Sequence, residues 1–162
     1  MTTSTHPPLA PPSPLPRTFY ERPTLEVARA LLGMHLLRVR EDGSLLRGRI
    51  VEVEAYLGPE DRASHARVKK SGGALLPFGR SVLMFGTPGV CYVYGVYGMH
   101  HCVNAVAHCE GAVGAVLIRA LDPLVGAPDR ITSRSVPAGN EPCHRTSRAF
   151  ALEILRSGRS TS

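Results

Sequence analysis

The chain has 162 residues, 43% of them hydrophobic, which fits one domain with a buried core and excludes a wholly disordered protein. The formal net charge is +6, and arginine supplies most of the positive charge because Lys69 and Lys70 are the only lysines; this favours a polyanionic partner, although a basic surface without a partner fits as well. No run of about 18 apolar residues occurs and no signal peptide is recognisable, so we expect a cytoplasmic protein without a membrane span, associated with the nucleoid if the source is bacterial.

The amino-terminal third is predicted to contain an arm, a helix and a strand. Residues 1–17 are rich in proline, serine and threonine and show no hydrophobic periodicity, so they are predicted to be disordered. Apolar residues then recur at helical spacing, which predicts a helix that begins at Pro23 or Thr24 and stops at Gly33. A strand over residues 35–40 and a turn follow.

The stretch RGRIVEVEAY, residues 47–56, alternates and is rich in β-branched residues, which predicts a strand with an apolar and an acidic face. Glu52 and Glu54 are predicted to lie on one face, about 6.6 Å apart at a rise of about 3.3 Å per residue. Such a pair fits an exposed polar face as well as a general base beside a cleft. The alternation assigns Ile50, Glu52, Glu54 and Tyr56 to one face and Val51, Val53 and Ala55 to the other.

Residues 57–80 are rich in turn-forming residues and predict a long loop that carries His65. Three strands are predicted after it, at 92–96, 102–107 and 115–121, and their proximity in the chain indicates an antiparallel sheet. Beyond residue 124, serine, arginine and proline dominate, and only SRAFALEILR shows helical spacing.

Three tyrosines lie within six positions in the stretch YVYGVYGMHH. Tyr92 and Tyr94 are predicted to share one strand face, whereas Tyr97 falls on the other face or at the tip of a bend near Gly98. Packing of all three rings in the core is one interpretation, because tyrosine favours strands. The other is that a ring held at a glycine bend stacks on nucleic-acid bases or inserts between them.

Several other chemistries fit the sequence poorly. The zinc-dependent base deaminases need H-x-E with P-C-x-x-C, which is missing, and HHCVNAVAHC matches no tetrahedral ligand spacing. Phosphate-binding glycine fingerprints are missing as well. Glycoside hydrolysis by the two glutamates is geometrically possible, but the chain has no tryptophan to form a sugar platform. We therefore expect neither a metal nor a cofactor.

Four blocks, in this order, resemble the 3-methyladenine DNA glycosylase family of the mammalian alkyladenine type: ARALLG, GRIVEVEAYLGPEDRASHA, MFGTPGVCYVYGVYGMHHCVN and AVLIRALDPL. The resemblance implies a single α+β domain over residues 18–126, with a curved antiparallel β-sheet, flanking helices and a protruding β-hairpin that enters the minor groove of DNA. It also implies a monomeric, monofunctional enzyme of base excision repair, which flips a damaged purine out of double-stranded DNA and hydrolyses its N-glycosidic bond with an activated water.

The family's functional residues match positions of this chain. The resemblance implies that Glu54 is the general base and that Arg119 supports the water and the backbone geometry. Tyr97 would be the ring that intercalates in the DNA where the base has left. The matches that would form the base pocket, with the asparagine at its floor, are Tyr56, His65, Tyr94 and Asn104.

The chain departs from the family's pattern in two places. The loop before MFG normally carries Thr-Pro-Arg-Asn, where this chain has SGGALLPFGRS, and the family's Gly-Pro-Xaa-Lys-Leu segment and closing strand are not recognisable after RALDPL. Residues 127–162 are therefore interpreted either as a divergent carboxy-terminal region or as the product of a disrupted reading frame, and whether they are ordered or disordered stays open. If this change abolishes turnover, the alternative function is a DNA-binding protein of the same fold without catalysis. The sequence does not rank the purine lesions that would be accepted.

Overall fold

The computed structural model describes residues 14–40, 42–71, 73–97, 100–125 and 152–155. The predicted disordered arm, apart from its last residues, and most of the predicted divergent region lie outside these ranges. In chain order the described elements are α1 (Arg17–Tyr20), α2 (Thr24–Leu31), β1 (His35–Val39), β2 (Leu45–Tyr56), β3 (Val68–Ser71), β4 (Ala74–Pro77), a 3₁₀ helix (Gly79–Phe85), β5 (Cys91–Val96), β6 (His100–Val106), β7 (Ala115–Val125) and β8 (Leu152–Leu155).

Six of the strands form one curled antiparallel sheet in the order β5-β6-β7-β2-β1-β8, and β3 pairs with β4 in a separate two-stranded sheet. The three adjacent strands β5, β6 and β7 pair with their neighbours in the predicted antiparallel manner. The predicted α+β class with a curved antiparallel sheet is thus confirmed. Because β2 pairs with β7, the long crossover brings the acidic strand next to the last strand of the meander.

Helix α2 begins at Thr24, as predicted, and ends at Leu31. Gly33 then adopts a φ of 83°, the left-handed backbone conformation that favours glycine and ends helices. The buried face of α2 consists of Thr24, Val27, Ala28 and Leu31. No helix in the described parts of the chain has the length and apolar content needed to cross a membrane.

The sheet separates two hydrophobic clusters. Ala105 of β6 and Val116 of β7 belong to a cluster with α2, whereas their neighbours Val106 and Ala115 belong to a second cluster with Tyr92. Since successive strand residues point to opposite faces, the two clusters lie on opposite faces of the sheet. We call them the helix-side face and the pocket-side face.

The alternation predicted along β2 is wrong at its start. Ile50 is fully buried in the helix-side cluster, against which Val53 and Ala55 also pack, whereas Val51 is 49% exposed. The reason is a β-bulge: Ile50 pairs with Leu121 and the next paired residue is Glu52, so Val51 is an extra residue without a cross-strand partner. The bulge shifts the phase of the strand, and only the residues from Glu52 onward follow the predicted faces.

A second irregularity compensates for the first. Glu52 pairs with Ala120 and Val53 pairs with Ile118, which leaves Arg119 as an extra residue on β7. The register is therefore restored at Val53, three residues beyond Ile50. Bulges are common beside functional sites because they re-aim a side chain. Here the family resemblance assigns a role to Arg119, the extra residue on β7, and to Glu54, which lies two positions beyond Glu52.

Two further secondary-structure predictions are corrected. Part of the predicted loop 57–80 forms the β3–β4 hairpin, which turns at Gly73 with a φ of 85°. Within the stretch of helical spacing, Leu152–Leu155 is strand β8, paired antiparallel with β1. An edge strand has unpaired backbone N–H and C=O groups, and β8 pairs with those of β1 that β2 does not reach.

Candidate active site

The carboxylate of Glu54 has a hydrogen-bond or ion-pair donor at each oxygen. Arg119 Nη1 lies 3.0 Å from Oε1, and the Tyr56 hydroxyl donates to Oε2 at 2.6 Å. Tyr56 follows Glu54 by two positions on β2 and therefore lies on the same face. The Glu54 side chain is 39% exposed, so it is held in orientation while water still reaches it.

Arg119 lies between two carboxylates. Its Nε is 3.6 Å from Oε1 of Glu52, while Nη1 contacts Glu54. The prediction that Glu52 and Glu54 share a face is confirmed by their contact with the same guanidinium. The sequence did not indicate why Arg119 reaches both, because the bulge that frees it from regular pairing depends on β2, more than sixty positions earlier in the chain.

Burial, and then the hydrogen bond to Glu54, raise the pKa of Tyr56 to about 12. The phenol therefore keeps its proton at neutral pH and acts as a donor to the carboxylate. Its ring also packs against the pocket-side cluster. Tyr56 thus joins the carboxylate to the aromatic surroundings.

A pocket opens on the pocket-side face next to Tyr56. It is lined by all four residues that the resemblance assigns to the base pocket and by three that it does not: Tyr56, His65, Tyr94 and Asn104, together with Ala63, Met84 and Tyr92. His65 reaches it from the segment between β2 and β3, and Tyr94 reaches it from β5. The structure therefore brings the predicted residues together, while their roles stay predictions.

Aromatic rings form one wall of this pocket. The rings of His65 and Tyr94 meet edge to face, with centroids 4.8 Å apart at an interplanar angle of 61°. Tyr92 stacks obliquely on Tyr94 at 5.2 Å, and its hydroxyl lies 3.2 Å from His65 Nδ1. Burial, and then a hydrogen bond with Cys102, raise the pKa of Tyr94, so its hydroxyl also stays protonated at neutral pH.

Asn104 is only 2% exposed and sits on β6, directly opposite Tyr92 in the strand pair. Its Nδ2 donates to the backbone oxygens of Tyr92 at 3.0 Å and Cys102 at 3.4 Å. These bonds fix the amide in the pocket lining. A polar side chain held in this way has a defined position relative to anything that enters the pocket.

Tyr97 differs from the other two tyrosines of its stretch. It follows β5, is 89% exposed and has a φ of 54°, whereas Tyr92 is buried in the pocket-side cluster. The core-packing interpretation is thus right for Tyr92 and wrong for Tyr97. A non-glycine residue in the left-handed region costs roughly 1–2 kcal/mol, and an exposed ring offers no packing energy to offset that cost.

The strands on either side of Tyr97, β5 and β6, pair antiparallel. β5 and β6 pair from Cys91 with Ala105 to Val96 with His100. The predicted bend at Gly98 lies outside the described residues. That these strands form a protruding hairpin that enters DNA stays a prediction.

Sequence reasoning missed Tyr92 and Met84 as pocket residues. The signal for Tyr92 was present, because the alternation already placed it on the face of Tyr94. Met84 is 2% exposed and lies in the 3₁₀ helix, where the Ser64 hydroxyl contacts its sulfur at 3.9 Å. No local pattern marks that methionine, because the segment before it has no regular periodicity.

Comparison with known proteins agrees with this geometry. A family model described as methylpurine-DNA glycosylase matches residues 18–148. A putative 3-methyladenine DNA glycosylase of Myxococcus xanthus is 53% identical over 114 residues, which are 70% of this chain and 55% of that protein. A protein of the same name from Chlorobium luteolum is 42% identical over 149 residues, 90% of this chain and 72% of that protein. The DNA-3-methyladenine glycosylase of Mus musculus is 51% identical over 108 residues, 67% of this chain and 30% of that protein. The chain thus spans about half the length of the Myxococcus xanthus relative.

Proposed function

Because the chain belongs to the methylpurine-DNA glycosylase family, we propose that it is a monofunctional DNA repair glycosylase. It extrudes an alkylated or deaminated purine from duplex DNA and hydrolyses the N-glycosidic bond. One observation carries the proposal: the Glu54 carboxylate is fixed by Arg119 and Tyr56 at the edge of a pocket lined by aromatic rings.

In the proposed reaction Glu54 is the general base. It accepts a proton from a water whose oxygen bonds to C1′ of the extruded nucleotide, and the C1′–N bond breaks with its electron pair leaving on the purine. A purine alkylated at N3 or N7 carries a positive charge and becomes neutral as it leaves. General-base catalysis by a positioned carboxylate typically contributes about 10²–10⁴-fold, and the remaining requirement is to hold the base and the water in place.

The rings of Tyr56, His65 and Tyr94 would hold the extruded base. Aromatic faces attract a cation, so the pocket favours a positively charged alkylpurine over an undamaged one. Asn104, fixed by two backbone hydrogen bonds, would test the shape of the purine at the pocket floor. The selectivity would therefore come from rigid groups that surround the base.

Tyr97 would occupy the gap that the extruded nucleotide leaves. Its ring is exposed and lies just beyond the strand that supplies Tyr94. Unstacking a base costs a few kcal/mol, which an inserted ring partly offsets. When the nucleotide is extruded, Tyr97 would thus fill the gap in the duplex and Tyr94 would contact the extruded base.

Water, and no protein amine, is the proposed nucleophile. An amine that attacked C1′ would form a Schiff base, which leads to strand cleavage. Lys69 and Lys70 are exposed on β3, outside the residues that line the pocket. The expected product is an intact strand with an abasic site and a free purine base.

The proposal is tested by incubating the chain in excess over duplex DNA that contains one methylated purine and measuring the released base. Replacement of Glu54 by glutamine keeps the size of the side chain but removes the proton acceptor, so we expect a loss of about 10²–10⁴-fold. Glu60→Gln is the matched control, because Glu60 is an exposed glutamate in the segment after β2. Equal release by the protein with and without the Glu54 substitution would refute the assigned base.

A second candidate function has one observation in its favour: the chain spans about half the length of the Myxococcus xanthus relative. If the part of that relative outside the matched region is required for turnover, the chain binds DNA without excision. Salt-dependent binding to duplex DNA with no release of base would support this candidate. Release of base by this chain alone would exclude it.

A further inference from the structure

We propose that Glu52 is a positioning residue that draws part of the Arg119 guanidinium away from Glu54 and so leaves Glu54 able to accept a proton from water. This inference rests on the proposed function, because it concerns how the general base is kept available. Neither the pocket lining nor the family resemblance assigns a role to Glu52. The geometry around the two β-bulges is what points to it.

The backbone places Glu52 between two shifts of register. Val51 is extra on β2 on one side of it, and Arg119 is extra on β7 on the other. In a regular antiparallel ladder every residue has a direct partner, so an arginine at this place would face a single residue. The bulge instead leaves Arg119 beside two carboxylates that are two positions apart on one face.

Two different nitrogens of Arg119 serve the two carboxylates. Nη1 is 3.0 Å from Glu54, and Nε is 3.6 Å from Glu52. The guanidinium is a rigid planar fork that prefers to bind one carboxylate with two N–H groups. Sharing prevents that arrangement, because a guanidinium turned toward Glu54 with two nitrogens would lose its contact with Glu52.

Charge explains why sharing helps the reaction. Two carboxylates and one guanidinium leave one net negative charge in the group. Without Glu52 the group would be neutral, and Arg119 would be free to occupy more of the Glu54 carboxylate. A general base whose lone pairs are engaged by a cation accepts a proton less readily, so the chemical step would slow.

A purely stabilising role for Glu52 is disfavoured by exposure. Its side chain is 59% exposed, and ion pairs between solvated side chains contribute little to folding because water screens them. If Glu52 were a surface carboxylate without a role in the reaction, the expected result of its substitution would also differ. Its removal would bring less repulsion of the DNA phosphates and hence equal or tighter DNA binding, with no loss in the rate of base release.

The test is Glu52→Gln, with base release measured in a single turnover at saturating protein and DNA affinity measured separately. We expect the rate of release to fall roughly threefold, the effect of removing one unit charge at about 6.6 Å in a largely solvated site, with affinity for DNA unchanged or tighter. Glu52→Asp keeps the charge and is expected to restore most of the rate. An unchanged rate with glutamine at this position would overturn the inference.

Asp122→Asn is the matched control. Asp122 lies on β7, the strand of Arg119, and pairs with Arg49 at 2.5 Å. Its substitution removes a carboxylate from the same pair of strands, β2 and β7, without removing a partner of Arg119. We expect its rate of release to equal that of the unaltered protein. A similar loss in both variants would mean that net charge alone matters, which would also overturn the inference.

A readout without catalysis separates this inference from the proposed function. In protein labelled with ¹⁵N-arginine, the Nε–H signal of Arg119 is expected to move in Glu52→Gln and to stay in Asp122→Asn. If the chemical shift of the Arg119 Nε–H is the same in Glu52→Gln as in the unaltered protein, the positioning role is wrong even when the enzyme is active. If the unaltered protein releases no base from methylated duplex DNA, the proposed function fails and the catalytic part of the inference fails with it, while the Arg119 signal still decides the pairing.

Discussion

The two faces of the sheet are built from the same strands and differ in what their side chains contact. On the helix-side face, Val27 and Leu31 of α2 and Ile50 of β2 are fully buried among apolar neighbours. On the pocket-side face, Tyr92 is buried as well, but its hydroxyl contacts His65 and a pocket opens beside it. One face therefore supplies most of the apolar burial, and the other holds polar groups in fixed positions at the expense of close packing.

The faces also respond differently to the irregularities of β2. The bulge at Val51 changes which residue enters the helix-side core, yet that core is still apolar, because Ile50, Val53 and Ala55 together fill it. On the opposite side the same bulge region brings Arg119 to Glu52 and Glu54. The apolar core can be filled in more than one strand register. The contacts of Arg119 with Glu52 and Glu54, in contrast, depend on the register that the bulges produce.

The largest effect on stability is expected from Leu31→Ala. Leu31 is fully buried in the helix-side cluster, so truncation should lower the free energy of unfolding by about 2–5 kcal/mol, as measured by denaturant titration. Base release per folded molecule should not change. Leu25→Ala on the same helix is the control, because Leu25 is 48% exposed and its loss should cost less than about 0.5 kcal/mol. Equal costs for both variants would contradict the assignment of the buried helix face.

A smaller effect that depends on pH is expected at His35, which lies on the face of β1 opposite to Leu36. Burial, and then the positive charges of Arg47 and Arg49, lower the pKa of His35, so the folded protein binds a proton there less readily than the unfolded chain. The associated stability is present above about pH 6.5, the ordinary histidine pKa, and is lost as the pH falls from there through the folded pKa.

The measurement for His35 is the free energy of unfolding as a function of pH in the unaltered protein and in His35→Gln. The difference between the two should change between neutral and mildly acidic pH, with the unaltered protein losing more stability on acidification. Parallel curves would show that His35 has the same pKa in the folded and unfolded states.

The smallest effect on stability is expected at Tyr97, where Tyr97→Ser should change the free energy of unfolding by less than about 0.5 kcal/mol, because the ring is exposed. Base release from a fully paired duplex should nevertheless fall more than release from a substrate in which the damaged base is mismatched and already poorly stacked. Tyr97→Phe retains the ring and should retain release. An equal loss on both substrates would contradict the role of the ring in extrusion.

Short-range spacing predicted part of the site, whereas the roles of His65, Asn104 and Arg119 were implied only by the family resemblance. Alternation in a strand places Tyr92 with Tyr94 and Glu52 with Glu54, whatever those strands pair with. Met84 and the contact of Arg119 with two carboxylates could not be predicted in this way, because each depends on a segment distant in the chain. The strand at Leu152–Leu155 was missed for the same reason: its partner is β1, and helical spacing in isolation carries no information about a vacant sheet edge.

The sequence by itself determined the residue types, the helix stop at Gly33, the antiparallel character of β5, β6 and β7, and the family. The tertiary structure decided the register: which residue of β2 is extra, where Arg119 points, and which rings surround the pocket. The physical reason is that backbone preferences and alternation act between near neighbours, whereas a β-bulge is decided by how two strands fit their hydrogen bonds and their buried side chains at once. The contacts of Arg119 and Tyr56 with Glu54 therefore form only when β2 and β7 have paired in this register.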